Sequence, residues 1–235
     1  MSHRRPYDAV MNRNYAEIAF VLDRSGSMAS CREAALAGFN FFLEEQQQNE
    51  GLIKLTLVLF DDEYLAPIQA LPVAEILPLN HDTYIPRGST ALLDAIGRTI
   101  DELGARLAAM AEEERPGQVI VAILTDGLEN ASESYSWKEI ARSIRHQTER
   151  YQWKFLFLGA NQDAIATAAQ MSIAAADASP FVADAAGVRA AARSMARKVR
   201  GIHRSFHGRA TVKEAADATA SLSDLTAEED EKERG

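Results

Sequence analysis

The chain is short of cysteine, of aromatic side chains and of long apolar runs, and each shortage closes off a class of protein. Its single cysteine, Cys31, permits no intrachain disulfide, which fits a reducing compartment. No apolar run approaches the roughly 18 residues that a membrane-spanning helix needs. The polar opening, residues 1–14, is followed by no signal-type apolar segment, so a cytoplasmic protein is expected. No Gly-x-Gly-x-x-Gly or Walker loop occurs, which removes dinucleotide and nucleotide readings. No Gly-x-Ser-x-Gly elbow surrounds Ser25 or Ser27, and no histidine lies near them in sequence. One further absence is local. Between Ala185 and Val212 there is no acidic residue, whereas Arg189, Arg193, Arg197, Lys198, Arg200, Arg204 and Arg209 all fall there.

What is present fits one α/β domain. At 235 residues, with 47% apolar side chains, the chain can bury a full core. Residues 15–22 read as a first buried strand, and apolar positions from about 30 to 48 recur at helical spacing. Residues 53–60 and 64–70 alternate as strands around the Asp61-Asp62 turn, predicting a hairpin. A connector with Pro72, Pro78 and Pro86 leads to a helix whose stripe runs from Leu92 to Met110. Gly97 and Gly104 interrupt it, and close packing is expected to offset the cost of each, about 1 kcal/mol. Residues 118–125 form a near-continuous aliphatic run, as in a parallel strand covered on both faces. A helix over 136–151, a strand over 153–158, an alanine-rich helix, an edge strand over 179–182 and a last helix over 184–206 complete the alternation. Such an order predicts a doubly wound, mainly parallel sheet with one antiparallel edge strand and helices on both faces. We divide the chain into an irregular arm over 1–14, a domain over 15–208 and an acidic tail over 209–235. The tail has few large apolar residues, so disorder is expected.

Three loops carry the chemistry. Phe20 to Met28 is an apolar run that ends on Asp23 and is followed by Ser25 and Ser27 at spacing two. Gly88-Ser89-Thr90 opens the helix at Ala91, and Leu124-Thr125-Asp126-Gly127 closes the second buried strand. In doubly wound sheets ligands bind beyond the carboxyl ends of strands where the strand order reverses, so Asp23 and Asp126 are expected to converge. Oxygen donors of these types suit a hard divalent cation. Taken singly, Asp23 or Thr90 could serve only as a helix cap, and Asp126-Gly127 only as a turn.

The combination of Asp-x-Ser-x-Ser, a threonine at a helix start and a strand-ending Thr-Asp-Gly resembles the metal-ion-dependent adhesion site (MIDAS) of von Willebrand factor A domains. The resemblance spans about residues 16–200. It implies that Ser25, Ser27 and Thr90 reach Mg²⁺ (or Mn²⁺) through their hydroxyls, while Asp23 and Asp126 act largely through waters or hydrogen bonds. It further implies a non-enzymatic adaptor that grips an Asp or Glu of a protein partner through the ion. Intracellular bacterial members of the family work beside chaperone-like ATPases or in multi-protein assemblies, and no residue here selects among such roles. A haloacid-dehalogenase-type phosphatase would need a second aspartate where Ser25 stands.

Other features carry milder expectations. Glu129 borders the site as an exposed loop charge, and Asn161 and Asp163 are read likewise. Asn130-Ala131-Ser132 matches a glycosylation sequon by chance, and Cys31 is a small apolar residue in a helical turn. His203 and His207, four apart, are expected as solvated residues with no third metal ligand. A net charge of −9 argues against nucleic acid as a partner. The basic final helix and acidic tail give the alternative function: a structural or assembly module whose metal site is vestigial. Self-pairing of helix and tail would then act as a brake.

Overall fold

The computed structural model describes residues 12–160 and 163–235. Six strands form one sheet in the order β3-β2-β1-β4-β5-β6. They are β1 (Asn12–Asp23), β2 (Leu52–Phe60), β3 (Tyr64–Pro72), β4 (Pro116–Thr125), β5 (Lys154–Ala160) and β6 (Ala178–Phe181). Only β3 is antiparallel; it is the return arm of the expected hairpin and occupies an edge. The expected fold class is the one observed.

Strand alternation sets the two layers. Ala16, Ile18, Phe20 and Leu22 of β1 face a core shared with α1 (Arg32–Gln47). Ala19 and Val21 face the opposite core, against α2 (Leu92–Ala108), α3 (Trp137–Tyr151) and α4 (Ala164–Gln170). Helix α5 (Ala185–Phe206) lies beside α1 and contributes Val188, Met195 and Val199 to the first core. The chain leaves β1 toward β2 on one side and β4 on the other, so the strand order reverses between β1 and β4. That crevice is where the fold positions a ligand site. No helix among the described residues is long and apolar enough to cross a membrane.

Two boundaries differ from expectation. β1 begins at Asn12, inside the segment read as an arm; residues 1–11 lie outside the described residues. The expected disordered tail is corrected more fully: it forms α6 (Val212–Thr219) and α7 (Leu222–Arg234), both packed on α5. Its only two leucines, Leu222 and Leu225, are buried, and Thr226 Oγ1 meets Ser194 Oγ at 3.0 Å. Several of its acids are paired with α5: Arg197 bridges Asp217, Glu228 and Glu229 at 2.7–2.8 Å. Arg189 and Arg193 both hold Glu233. Composition hid this because several charges that look repulsive within the tail, Glu214, Asp217, Glu228, Glu229 and Glu233, face arginines of α5.

Candidate metal centre

The carboxyl end of β1 delivers Asp23 into the crevice, fully buried. Both of its carboxylate oxygens are engaged. Oδ1 accepts the Ser25 backbone N–H at 2.6 Å, and Oδ2 accepts the Thr125 hydroxyl at 2.5 Å. Asp23 thus pins the first loop to the end of β4. The chain then turns into a short 3-10 segment, Gly26–Cys31, that carries Ser27 at an exposed position. Ser25 Oγ and Ser27 Oγ lie 3.0 Å apart, and Ser27 Oγ donates to Asp126 Oδ1 at 2.7 Å.

The third loop is tied in through backbone. Gly26 N–H donates to Gly88 O at 3.1 Å, and Arg87 N–H donates to Arg24 O at 2.8 Å. Gly88 has φ +66°, and a Cβ there would meet Asp62 Oδ1 at 1.8 Å, so only glycine fits this turn. Thr90, almost fully buried, packs against the loop that follows Asp126. A Cβ on Gly127 would sit 2.6 Å from Thr90 Oγ1, so the missing side chain leaves that hydroxyl room. Asp23, Ser25, Ser27 and Asp126 are therefore joined in one hydrogen-bonded chain, with Thr90 bordering it across Gly127.

Burial pushes Asp23 up to about 6, with the Asp126 charge adding to the shift. Burial raises Asp126 as well. No arginine, lysine or histidine forms an ion pair with either carboxylate among the described residues.

Several supports were not singled out from sequence. Tyr84, fully buried, donates its hydroxyl to Asp23 O at 2.7 Å. Asn130 braces Thr90 reciprocally: its Oδ1 accepts Thr90 N–H at 3.0 Å and its own N–H donates to Thr90 O. Buried Asp61 pairs with Arg24 and Arg87 beside the site. The one sequence signal was position, and only for Tyr84 and Asn130, which lie four to six residues from a predicted ligand; Asp61 had none. Glu129 differs from its reading as an exposed charge. Its carboxylate accepts Leu93 N–H at 2.9 Å and the N–H groups of Ala131 and Ser132, facing the start of α2. Asp163 caps α4 by accepting Ala166 N–H; Asn161 lies outside the described residues.

No family sequence model matches the chain, and no curated protein matches it in sequence. Solved structures do. Proximal thread matrix protein 1 from the mussel byssus, in a structure with a zinc-occupied MIDAS motif, aligns with a TM-score of 0.52 at 16% identity. That alignment covers 77% of this chain and 45% of that one. A von Willebrand factor type A protein from Catenulispora acidiphila aligns with a TM-score of 0.50 at 16% identity, covering 79% and 42%. The chain has the von Willebrand factor A fold. It spans less than half the length of either of these solved proteins.

The donor set of this von Willebrand factor A fold suits a hard cation. Oxygen ligands about 2.1 Å from Mg²⁺ stand about 3.0 Å from their octahedral neighbours. The Ser25–Ser27 separation of 3.0 Å matches such an edge, and the 2.7 Å bond from Ser27 to Asp126 holds the Ser27 hydroxyl in place. The described residues hold no cluster of three or more His, Cys, Asp or Glu side chains placed for a metal, so any ion here would rest on hydroxyls as much as on carboxylates.

Proposed function

We propose that the chain is a non-enzymatic, divalent-cation-dependent protein-binding module of the cytoplasm. Ser25, Ser27 and Thr90 would hold Mg²⁺ or Mn²⁺ through hydroxyl oxygens, with Asp23 and Asp126 positioning them and balancing charge. When bound, the cation supplies positive charge at an open face, which attracts a carboxylate. The chain's own groups do the rest. Asp23 locks the loop geometry from beneath, and Ser27 and Asp126 stand at the solvent side where an Asp or Glu of a partner can approach.

One observation carries this reading: three separated loops converge on two carboxylates that, among the described residues, form no ion pair with any basic side chain and are flanked by the hydroxyls of Ser25, Ser27 and Thr90. The zinc-occupied motif named for the mussel protein of the same fold supports a divalent ion at this position. The test is calorimetric titration with Mg²⁺ and Mn²⁺. Asp23→Ala should abolish binding while circular dichroism stays that of a folded domain; unchanged affinity in that variant would falsify the proposal. Partner capture from a host extract should then require the cation and fail in EDTA.

The alternative, assembly through the basic helix, meets an obstacle. Arg189, Arg193, Arg197, Arg200 and Arg204 of α5 are already paired with acids of the same chain. Capture that survives EDTA but disappears when residues 209–235 are removed would favour that alternative.

A further inference from the structure

The opposite end of the sheet holds two imidazoles that the carboxyl-end site does not use. Helix α5 runs away from the candidate metal centre, and its last turns pass Glu50, in the turn before β2. His203, expected in solvent, is only 2% exposed. Its Nε2 lies 3.2 Å from the Glu50 carbonyl. A carbonyl can only accept, so Nε2 carries the proton and Nδ1 presents its lone pair. That Nδ1 is buried and has no hydrogen-bond partner among the described residues. The same is true of Nε2 of His207, one turn further on, whose ring centroid is 4.4 Å from that of His203. Glu50, His203, Arg204, His207 and Arg209 line a pocket of about 10 Å³ there, the size of a single water or ion.

We propose that His203 and His207 form a second metal site, for a borderline transition ion of the Zn²⁺ class, independent of the oxygen-lined centre. Imidazole nitrogens select Zn²⁺, Ni²⁺ or Cu²⁺ over Mg²⁺. A backbone carbonyl on the far ring nitrogen is the usual way a metal-binding histidine is oriented. Burial keeps both rings in the neutral, ligating form. Each rim arginine has an acid partner, Arg204 with Glu214 and Arg209 with Glu50, which offsets part of the positive charge that the two present to the histidines. No third His, Cys, Asp or Glu completes the set among the described residues. The pocket has room for the ion alone, so any further ligand would have to come from the rim, where the Glu50 carboxylate stands.

The ion would clasp the end of α5 to the turn that starts β2. The test uses the full chain carrying Asp23→Ala, in excess Mg²⁺, so that the oxygen-lined centre does not report. Titration with Zn²⁺ should show one equivalent bound, with the ring nitrogens of both histidines shifting in ¹H–¹⁵N spectra. Adding His207→Gln, a substitution at a partly exposed position, should abolish stoichiometric binding with the domain still folded. On the unmutated chain in excess Mg²⁺, Co²⁺ should give a visible ligand-field spectrum that Zn²⁺ bleaches and EDTA removes. Equal zinc affinity with and without His207, or ring nitrogens unmoved by saturating zinc, overturns the proposal and leaves a pocket for water.

Discussion

The two ends of the sheet treat buried acids in opposite ways. Toward the amino end of β1, Glu17 is fully buried and meets the Arg106 guanidinium at 2.6 Å, with the Tyr15 hydroxyl as a further donor. On the outer face of α5, Asp217 and Glu229 share Arg197. Even Asp61, next to the candidate centre, has two arginines. Asp23 and Asp126, at the carboxyl end, have only hydroxyl and amide donors. A buried charge without a counter-charge is costly. Among the described residues the other buried acids are paired with cations, whereas buried Asp23 and half-buried Asp126 are not; this contrast is what the proposed cation site would account for.

The largest effect should come from making the amino end resemble the carboxyl end. Arg106→Ala strands the Glu17 carboxylate in the core. Stranding a buried charge costs about 3–5 kcal/mol; because the Arg106 side chain is a third exposed, we expect about 3 kcal/mol in urea unfolding at pH 7. Burial already raises the Glu17 carboxyl, and Arg106 opposes that shift. Without the arginine the folded state binds a proton more readily than the unfolded chain, so the loss should shrink as pH falls from 7 toward 5. A loss independent of pH would mean that Arg106 acts through packing alone.

Next in size is the tail. Arg197→Met keeps the stem but removes the charge shared by Asp217, Glu228 and Glu229. Hydrogen bonds to charged groups contribute about 1.5–3 kcal/mol, so a loss of roughly 2 kcal/mol is expected, with faster amide exchange confined to α6 and α7. Uniform exchange across the sheet would show that the tail is part of the global unfolding unit.

The site was legible in sequence to the extent that its residues end predicted strands or open predicted helices. Asp23 and Asp126 follow aliphatic runs, and Thr90 precedes an unmistakable apolar stripe. The braces were not legible, because Tyr84 to Asp23 and Asn130 to Thr90 are contacts across loops that no periodicity describes. The tail was misread because the sequence shows two populations of charge, basic on α5 and acidic after it, but not that they face each other. His203 was misread because it turns toward the backbone at Glu50, a contact that no periodicity describes. Gly97 and Gly104 divide similarly: Gly97 is pressed by the Tyr135 ring, whereas a Cβ on Gly104 would meet only Gln147 Nε2 at 3.7 Å. Packing therefore explains the first glycine and not the second.

Neutralising Asp23 should separate function from stability. In Asp23→Asn the amide oxygen can still accept the Ser25 N–H, and the Thr125 hydroxyl can turn to accept from the amide. In EDTA the variant should unfold within about 1 kcal/mol of the parent, one hydrogen bond's worth, while calorimetry detects no Mg²⁺ binding. A large loss of stability in EDTA would make Asp23 a structural acid like Glu17 and remove the contrast.

The smallest effect should come from Glu129, the acid nearest the site that faces another way. Its oxygens are occupied by the N–H groups of Leu93, Ala131 and Ser132, so the partner of its charge is the amino end of α2 rather than an ion. A carboxylate at a helix amino end contributes about 0.3–1 kcal/mol, and Glu129→Gln should cost no more than that in thermal unfolding. Because the lost charge lies on the helix side of the loop, Mg²⁺ affinity should move far less than in Asp126→Asn. If Glu129→Gln instead weakened Mg²⁺ binding as much as Asp126→Asn does, the boundary between acids that hold the fold and acids that wait for a cation would have to be redrawn to include it.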